Sequence, residues 1–301
     1  MRFLPSSLDP SVVASIDDRL ETLTVTERVA IPWAVESGSR AWGFPSPDSD
    51  YDCRFVYVRA PEDYLGPWPR RDVLETPLDA VLDVNGWDLV KAVQLLVKGN
   101  ATIVEWLESG IVYRGDEDFR DGLRALASDV VDRGALVRHY AYLGSRQRDR
   151  WEGGDVSLKK VFYALRPAAV LRWLRVHPDA SPPLDLLTLL AQGEASSTVQ
   201  DAVGELVALK AVTREMGTGP AGAAIGRFVT EELELAHGGT RGLEEAQCSR
   251  GEARERAEQY FRAAVRTFAP ADLVGARRPR VRPRAPGAPR ARGSPGHPRQ
   301  R

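Results

Sequence analysis

The chain has 301 residues with 41 basic and 42 acidic side chains, 43% hydrophobic and 8% aromatic, which is the profile of a globular protein with room for a full core in one or two domains. Nine arginines and no acid lie in residues 276–301, so the preceding residues carry 32 basic against 42 acidic groups, about −10 in all, and offer no electrostatic footprint for a nucleic-acid duplex. No run approaches the roughly 18 to 20 apolar residues of a membrane span, and Cys53 and Cys248 are too few for a disulfide framework, so the expected setting is cytoplasmic, with no membrane partner.

In chain order, Val12, Val13, Ile16, Leu20 and Leu23 recur near helical spacing and predict an opening helix. Residues 31–35 form a short apolar run that ends at Ser37-Gly38-Ser39. Residues 51–58 read as a strand of aromatic and branched side chains, and residues 80–84 have strand character too. From Asp88 onward, Leu89, Ala92, Val93, Leu96 and Val97 share one helical face, Gly99-Asn100 stops that helix, and a short helix follows at 103–107. Residues 1–125 are therefore expected to be mixed α and β. Beyond Asp132 only helical patterns are read, at 136–143, 158–174, 184–190, 203–212 and 242–268, which predicts a helical domain over 126–270. The overall class is α+β, a small mixed sheet followed by an all-helical domain. In residues 276–301, Pro, Arg, Gly and Ala alternate with Val281 as the one large apolar side chain, so the tail, set at 271–301, is expected to be disordered.

The chemistry concentrates between Glu36 and Asp52. A strand that ends in Gly38-Ser39 and turns into a short helix points backbone N–H groups and a hydroxyl outward, which suits an anionic phosphate. Gly38 lets a phosphate approach the backbone closely, and Arg40 follows in the same turn. Asp50 and Asp52, two residues apart, leave the same face of the next strand and can share a hard divalent cation, while Tyr51, Cys53, Phe55 and Tyr57 take the opposite face. Asp83, an isolated acid among apolar residues on a later strand, needs a partner or an ion. It is the candidate third carboxylate of a two-metal clamp. As a separate reading, Asp-x-Asp in such a loop is a turn followed by a polar strand edge.

With these residues the sequence resembles the DNA polymerase β-like nucleotidyltransferase superfamily, whose pattern is Gly-Ser, a spacer of about ten residues, Asp-x-Asp and a later strand Asp. More closely, residues 36–52, Asp83-Val84-Asn85-Gly86-Trp87-Asp88-Leu89, Glu105-Trp106-Leu107 and residues 159–167 are similar to the bacterial RNA-ligase-associated, or YcgL-type, group. The likeness spans roughly residues 25–270. It implies a catalytic domain over 1–125, two Mg²⁺ ions with Mn²⁺ as the alternative, and transfer of a nucleoside monophosphate from an NTP to a hydroxyl on RNA, protein or a small molecule. The resemblance places Asp50, Asp52 and Asp83 as metal ligands and catalytic residues, and Gly38, Ser39 and Arg40 at the nucleotide.

Independently of any family, Lys159, Tyr163 and Arg166 stand at i, i+4 and i+7. They are expected to form one polar face that reaches the triphosphate across a cleft, with Lys160 or Lys159 assisting Arg166 there; a merely solvated face is the alternative. Two rival functions remain at this stage, a nucleotide-binding regulatory module without turnover and an RNA-repair-associated RNA-binding protein whose tail supplies affinity.

Overall fold

The computed structural model describes residues 1–77, 81–151, 156–214, 216–239 and 249–270. Helix α1 (Pro10–Glu27) begins where the Asp9 side chain accepts from Ser11 N, and it buries Val13, Ile16, Leu20 and Leu23 along one face. The chain then runs through β1 (Ala30–Glu36), α2 (Gly38–Ala41), β2 (Tyr51–Val58), α3 (Pro61–Tyr64), β3 (Val73–Glu75), β4 (Leu82–Asp88), α4 (Leu89–Val97), α5 (Ala101–Glu108), β5 (Val112–Gly115) and α6 (Glu117–Val130). The five strands form one sheet in the order β3-β4-β2-β1-β5, with β2 and β4 parallel and the other neighbours antiparallel.

Pro32 has no N–H to donate, and the β1–β2 register shifts between Ala30 and Trp33 around it. One face of the sheet packs on α1 through Tyr51, Cys53, Phe55, Tyr57 and Val84. The other meets α4, α5 and α6 through Trp33, Val35, Val56 and Val58. This explains why β2 alternates buried and half-buried as far as Arg54 and is buried on every residue afterwards. Only its first half has a face left for a site.

The rest comprises α7 (Arg133–Arg148), β6 (Val156–Ser157), α8 (Leu158–Val176), α9 (Leu186–Gln192), α10 (Ser197–Val212), β7 (Thr218–Gly219), α11 (Ala223–Gly239) and α12 (Arg250–Phe268). A third core gathers Val161, Phe162, Leu165, Val170, Leu186, Val203, Val229 and their neighbours from α7 to α11. Helix α12 packs elsewhere. Its Ala253, Ala257, Ala264 and Val265 join the core of the sheet's helical face, and Phe261 and Phe268 meet Tyr64 and Phe119 edge-on, each pair with ring centroids 5.1 Å apart. Residues Met1–Pro270 form one compact unit.

The fold is α+β, with a mixed sheet and helices. The expectation that residues after Asp132 hold no strand is corrected by the two-stranded β6–β7 ribbon, whose two-residue arms carry no readable periodicity. Helices α6 and α11 and the short strands β3 and β5 were likewise not read from the sequence. The tail expectation for 271–301, Cys248 and the start of the helix expected at 242–268 lie outside the described residues. No helix among the described residues is long and apolar enough to cross a membrane.

Candidate active site

The parallel pairing of β2 with β4 sets Asp52 beside Asp83 as Cα partners, so register rather than sequence spacing brings the two acids together. Asp50 precedes β2 by one residue and is exposed, so it borders this pair from the incoming loop rather than from the strand. Arg54, on the same face two residues beyond Asp52, spans both acids. Its Nη2 donates to Asp52 Oδ1 at 2.9 Å and to Asp83 Oδ2 at 2.7 Å. Asn85 Nδ2 donates to the other oxygen of Asp83 at 3.1 Å. The partner expected for an isolated strand acid is therefore a guanidinium. Burial pushes the Asp52 carboxyl above the usual carboxylate range, Asp83 and Asp50 push the same way, and Arg54 opposes them.

The turn above the acids depends on Gly38. It has φ +63°, and a Cβ there would lie 2.2 Å from Asp52 Oδ2. The sequence assigned Gly38 to phosphate approach; the structure gives it an additional neighbour, the carboxylate beneath. Ser37 N donates to Asp52 O at 2.9 Å, closing the turn onto β2. Ser39 Oγ donates to Ser49 Oγ at 3.0 Å. Arg40 Nη2 and Nε donate to the carbonyls of Ser49 and Asp50 at 2.6 and 3.2 Å, and its guanidinium lies 3.8 Å from the Tyr51 ring centroid. Arg40 thus clamps the returning loop to the turn.

Glu36, at the end of β1, is fully buried. It accepts from Asp52 N at 3.0 Å and from the Tyr113 hydroxyl at 2.5 Å, and burial raises its carboxyl to about 7. The sequence reading placed Glu36 at the head of the motif and gave it no role. An acid directly after the apolar run 31–35 and before the Gly38 turn was the available signal.

Beyond the turn the loop enters the helical core. Phe44 stacks on Phe162 with ring centroids 4.6 Å apart, Leu186 N donates to Trp42 O at 3.0 Å, and the buried Lys210 Nζ donates to Phe44 O at 2.5 Å. Desolvation lowers the Lys210 ammonium to about 8, with Lys159 adding repulsion. Trp42 Nε1 donates to Glu105 Oε2 at 3.3 Å, and Glu105 Oε1 also accepts from the Tyr140 hydroxyl at 2.6 Å and from Arg166 Nη1 at 2.8 Å.

This corrects the expected polar face of α8. Lys159, Lys160 and Tyr163 are exposed, but Arg166 is 5% exposed, paired with Glu105 and 4.6 Å from the Trp42 ring centroid. The turn at α8's start leaves Lys159 within electrostatic reach of Asp48, in the loop leading to Asp50. Helical spacing groups Arg166 with Lys159, yet every residue of α8 from Ala164 to Leu171 is buried, and Arg166 lies inside that stretch.

The donor chemistry suits magnesium, since Asp52 and Asp83 are hard oxygen ligands held side by side with Asp50 at the rim. Among the described residues, no three His, Cys, Asp or Glu side chains converge closely enough to enclose an ion.

Residues 12–263 match the family described as RlaP, RNA repair pathway DNA polymerase beta family. The chain is 37% identical over 220 residues to the uncharacterized protein YcgL of Bacillus subtilis (strain 168), covering 73% of this chain and 84% of that one. A nucleotidyltransferase-like protein of Exiguobacterium sibiricum 255-15, known from a crystal structure at 1.90 Å, aligns over 85% of this chain and 80% of its own with 12% identity and a TM-score of 0.26.

Proposed function

Because the chain belongs to the RNA repair pathway DNA polymerase beta family, we propose that it transfers a nucleoside monophosphate from an NTP to a hydroxyl acceptor and releases pyrophosphate. The observation that carries this reading is the contact of the Gly38 turn with the Asp52 carboxylate, whose Cα partner on the neighbouring strand is Asp83. A backbone turn that suits a phosphate and a pair of acids that suits a cation then face the same small space.

In this reading a bond forms between the acceptor oxygen and the α-phosphorus while the bond from that phosphorus to the bridging oxygen of the β-phosphate breaks, and pyrophosphate leaves. The acceptor proton passes to Asp83, whose Oδ1 and Oδ2 each keep a lone pair beyond the Asn85 and Arg54 bonds. Mg²⁺, held by Asp50, Asp52 and Asp83, would supply charge neutralisation and acidify the attacking hydroxyl. The Gly38 and Ser39 amides hold the β and γ phosphates, Arg40 keeps the turn and the Asp50 loop together, and Lys159, Lys160 and Tyr163 approach the triphosphate from α8. The domain division belongs to the same proposal, with a catalytic part over 1–125 and a helical part over 126–270 closing the nucleotide cleft. Membership in an RNA-repair family favours an RNA end as the acceptor.

Asp52→Asn tests the reading, since it replaces an oxygen by an isosteric amide. The variant is expected to keep its circular dichroism spectrum and to lose incorporation from labelled ATP, CTP, GTP and UTP. Retained incorporation would sink the assignment, and tight NTP binding without pyrophosphate release by the unsubstituted protein would support the regulatory-module alternative.

A further inference from the structure

Arg54 holds both acids with one nitrogen and the backbone with another. Nη2 takes one oxygen from each of Asp52 and Asp83, while Nη1 donates to the carbonyls of Asp83 and Cys53 at 2.8 and 3.2 Å. The carbonyl anchor depends only on the β2–β4 pairing, so it persists whatever the carboxylates bind. Arg54 also lies deeper than its partners. Its side chain is 16% exposed against 28% for Asp52 and 37% for Asp83, so the free rims of the carboxylates face outward above a fixed guanidinium. Two ionised carboxylates at one register position repel each other, and Arg54 neutralises one of the two charges without any ion.

We infer that Arg54 is the resident counter-ion of the Asp52/Asp83 pair and sets the affinity of that pair for a divalent cation. This rests on the metal-dependent reading above. An entering cation must recruit the oxygens that Nη2 shares, and it meets a positive charge that the backbone carbonyls prevent from leaving. The free protein therefore holds the cation weakly. Nη1 stays anchored while Nη2 loses its partners, so Arg54 acts as a positioning residue and transfers nothing itself.

The test is Mn²⁺ binding followed by electron paramagnetic resonance, without nucleotide, on full-length protein whose fold is checked by circular dichroism. Arg54→Gln is expected to bind Mn²⁺ at least about tenfold more tightly than the unsubstituted chain, Arg54→Lys to stay near it, and Asp52→Asn to lose the site. Equal or weaker binding by Arg54→Gln, with binding still abolished by Asp52→Asn, overturns the role of Arg54 and leaves the metal-dependent reading standing. Absence of Mn²⁺ binding in every form overturns both. Should Arg54→Gln fail to fold, nitrogen-15 spectra of the unsubstituted protein decide the matter. Adding Mg²⁺ is expected to shift the Arg54 Nη2 signal, assigned by its loss in Arg54→Lys, and to leave Nη1 in place. No shift, or equal shifts at both nitrogens, overturns the inference.

Discussion

A Cβ on Gly38 would lie 2.2 Å from Asp52 Oδ2, closer than non-bonded atoms approach. The Gly38 backbone and the Asp52 carboxylate are fitted to each other, and the glycine is required both by its left-handed φ of +63° and by the acid below it.

Gly38→Ala therefore separates a local stability cost from a loss of function. The left-handed conformation alone costs an alanine roughly 1–2 kcal/mol, and relief of the clash must move either the turn or Asp52. Denaturant unfolding is expected to show a loss of that order, with nucleotide incorporation falling far more than stability does. Incorporation at the unsubstituted rate would show that the turn and the carboxylate do not act together.

Lys159 and Lys160 are exposed, so their contribution belongs to binding. In Lys159→Ala/Lys160→Ala the KM for NTP is expected to rise about three- to tenfold, on the order of 1 kcal/mol, with kcat little changed. Steady-state kinetics with labelled NTP measures the split, and a fall in kcat at constant KM would contradict the placement.

Arg166 behaves differently because it is buried against Glu105. Glu105→Ala leaves the guanidinium without its acid and is expected to cost about 3–5 kcal/mol in unfolding free energy, whereas Glu105→Leu with Arg166→Met removes both charges and should recover part of that loss, the Tyr140 hydroxyl and Trp42 Nε1 remaining without their acceptor. If Arg166 serves only to brace Trp42, the double variant keeps a near-normal KM for NTP. A KM raised tenfold or more in a stable double variant would return Arg166 to the nucleotide.

Lys210 gives a pH dependence. Its ammonium is lowered from 10.5 to about 8 in the folded chain, chiefly by desolvation, so between about pH 8 and 10.5 the unfolded chain binds more protons than the folded one. Stability contributed by this group therefore rises with pH across that window. Urea melts of the native chain and of Lys210→Met at pH 7.5, 9 and 10 check it. The slope over the window should be shallower or reversed in the variant, and identical slopes would contradict the assignment.

The sheet strands that carry the site were legible from their apolar, aromatic and branched side chains; residues 51–58 were bounded as the structure has them, whereas the run read at 80–84 reached only the first part of β4. Asp50 and Asp52 were read as a pair from spacing two apart. The pairing of Asp52 with Asp83 was not, because strand register is a tertiary property that neither segment encodes alone. Arg54 stood in plain view at i+2 from Asp52 on the same face, yet its role follows only once β4 lies alongside. Arg166 was misplaced for the converse reason: helical spacing grouped it with Lys159, while the packing of α8 buries that position. Helix α12 shows the same limit, since its amphipathic pattern predicts a helix but not that it packs on α4 and α6.

The seating of Phe44 against Phe162 bears on how portable this sheet is. The loop that begins at the Gly38 turn ends in a socket built from α8, with Lys210 and Leu186 fastening its backbone. A transplant of residues 1–125 onto an unrelated helical partner would carry every carboxylate and the glycine, but it would leave the loop's far end with nothing to grip. The carboxylate edge of the sheet is thus not a detachable cassette, because the helices that hold Phe44 also hold the loop that returns to it.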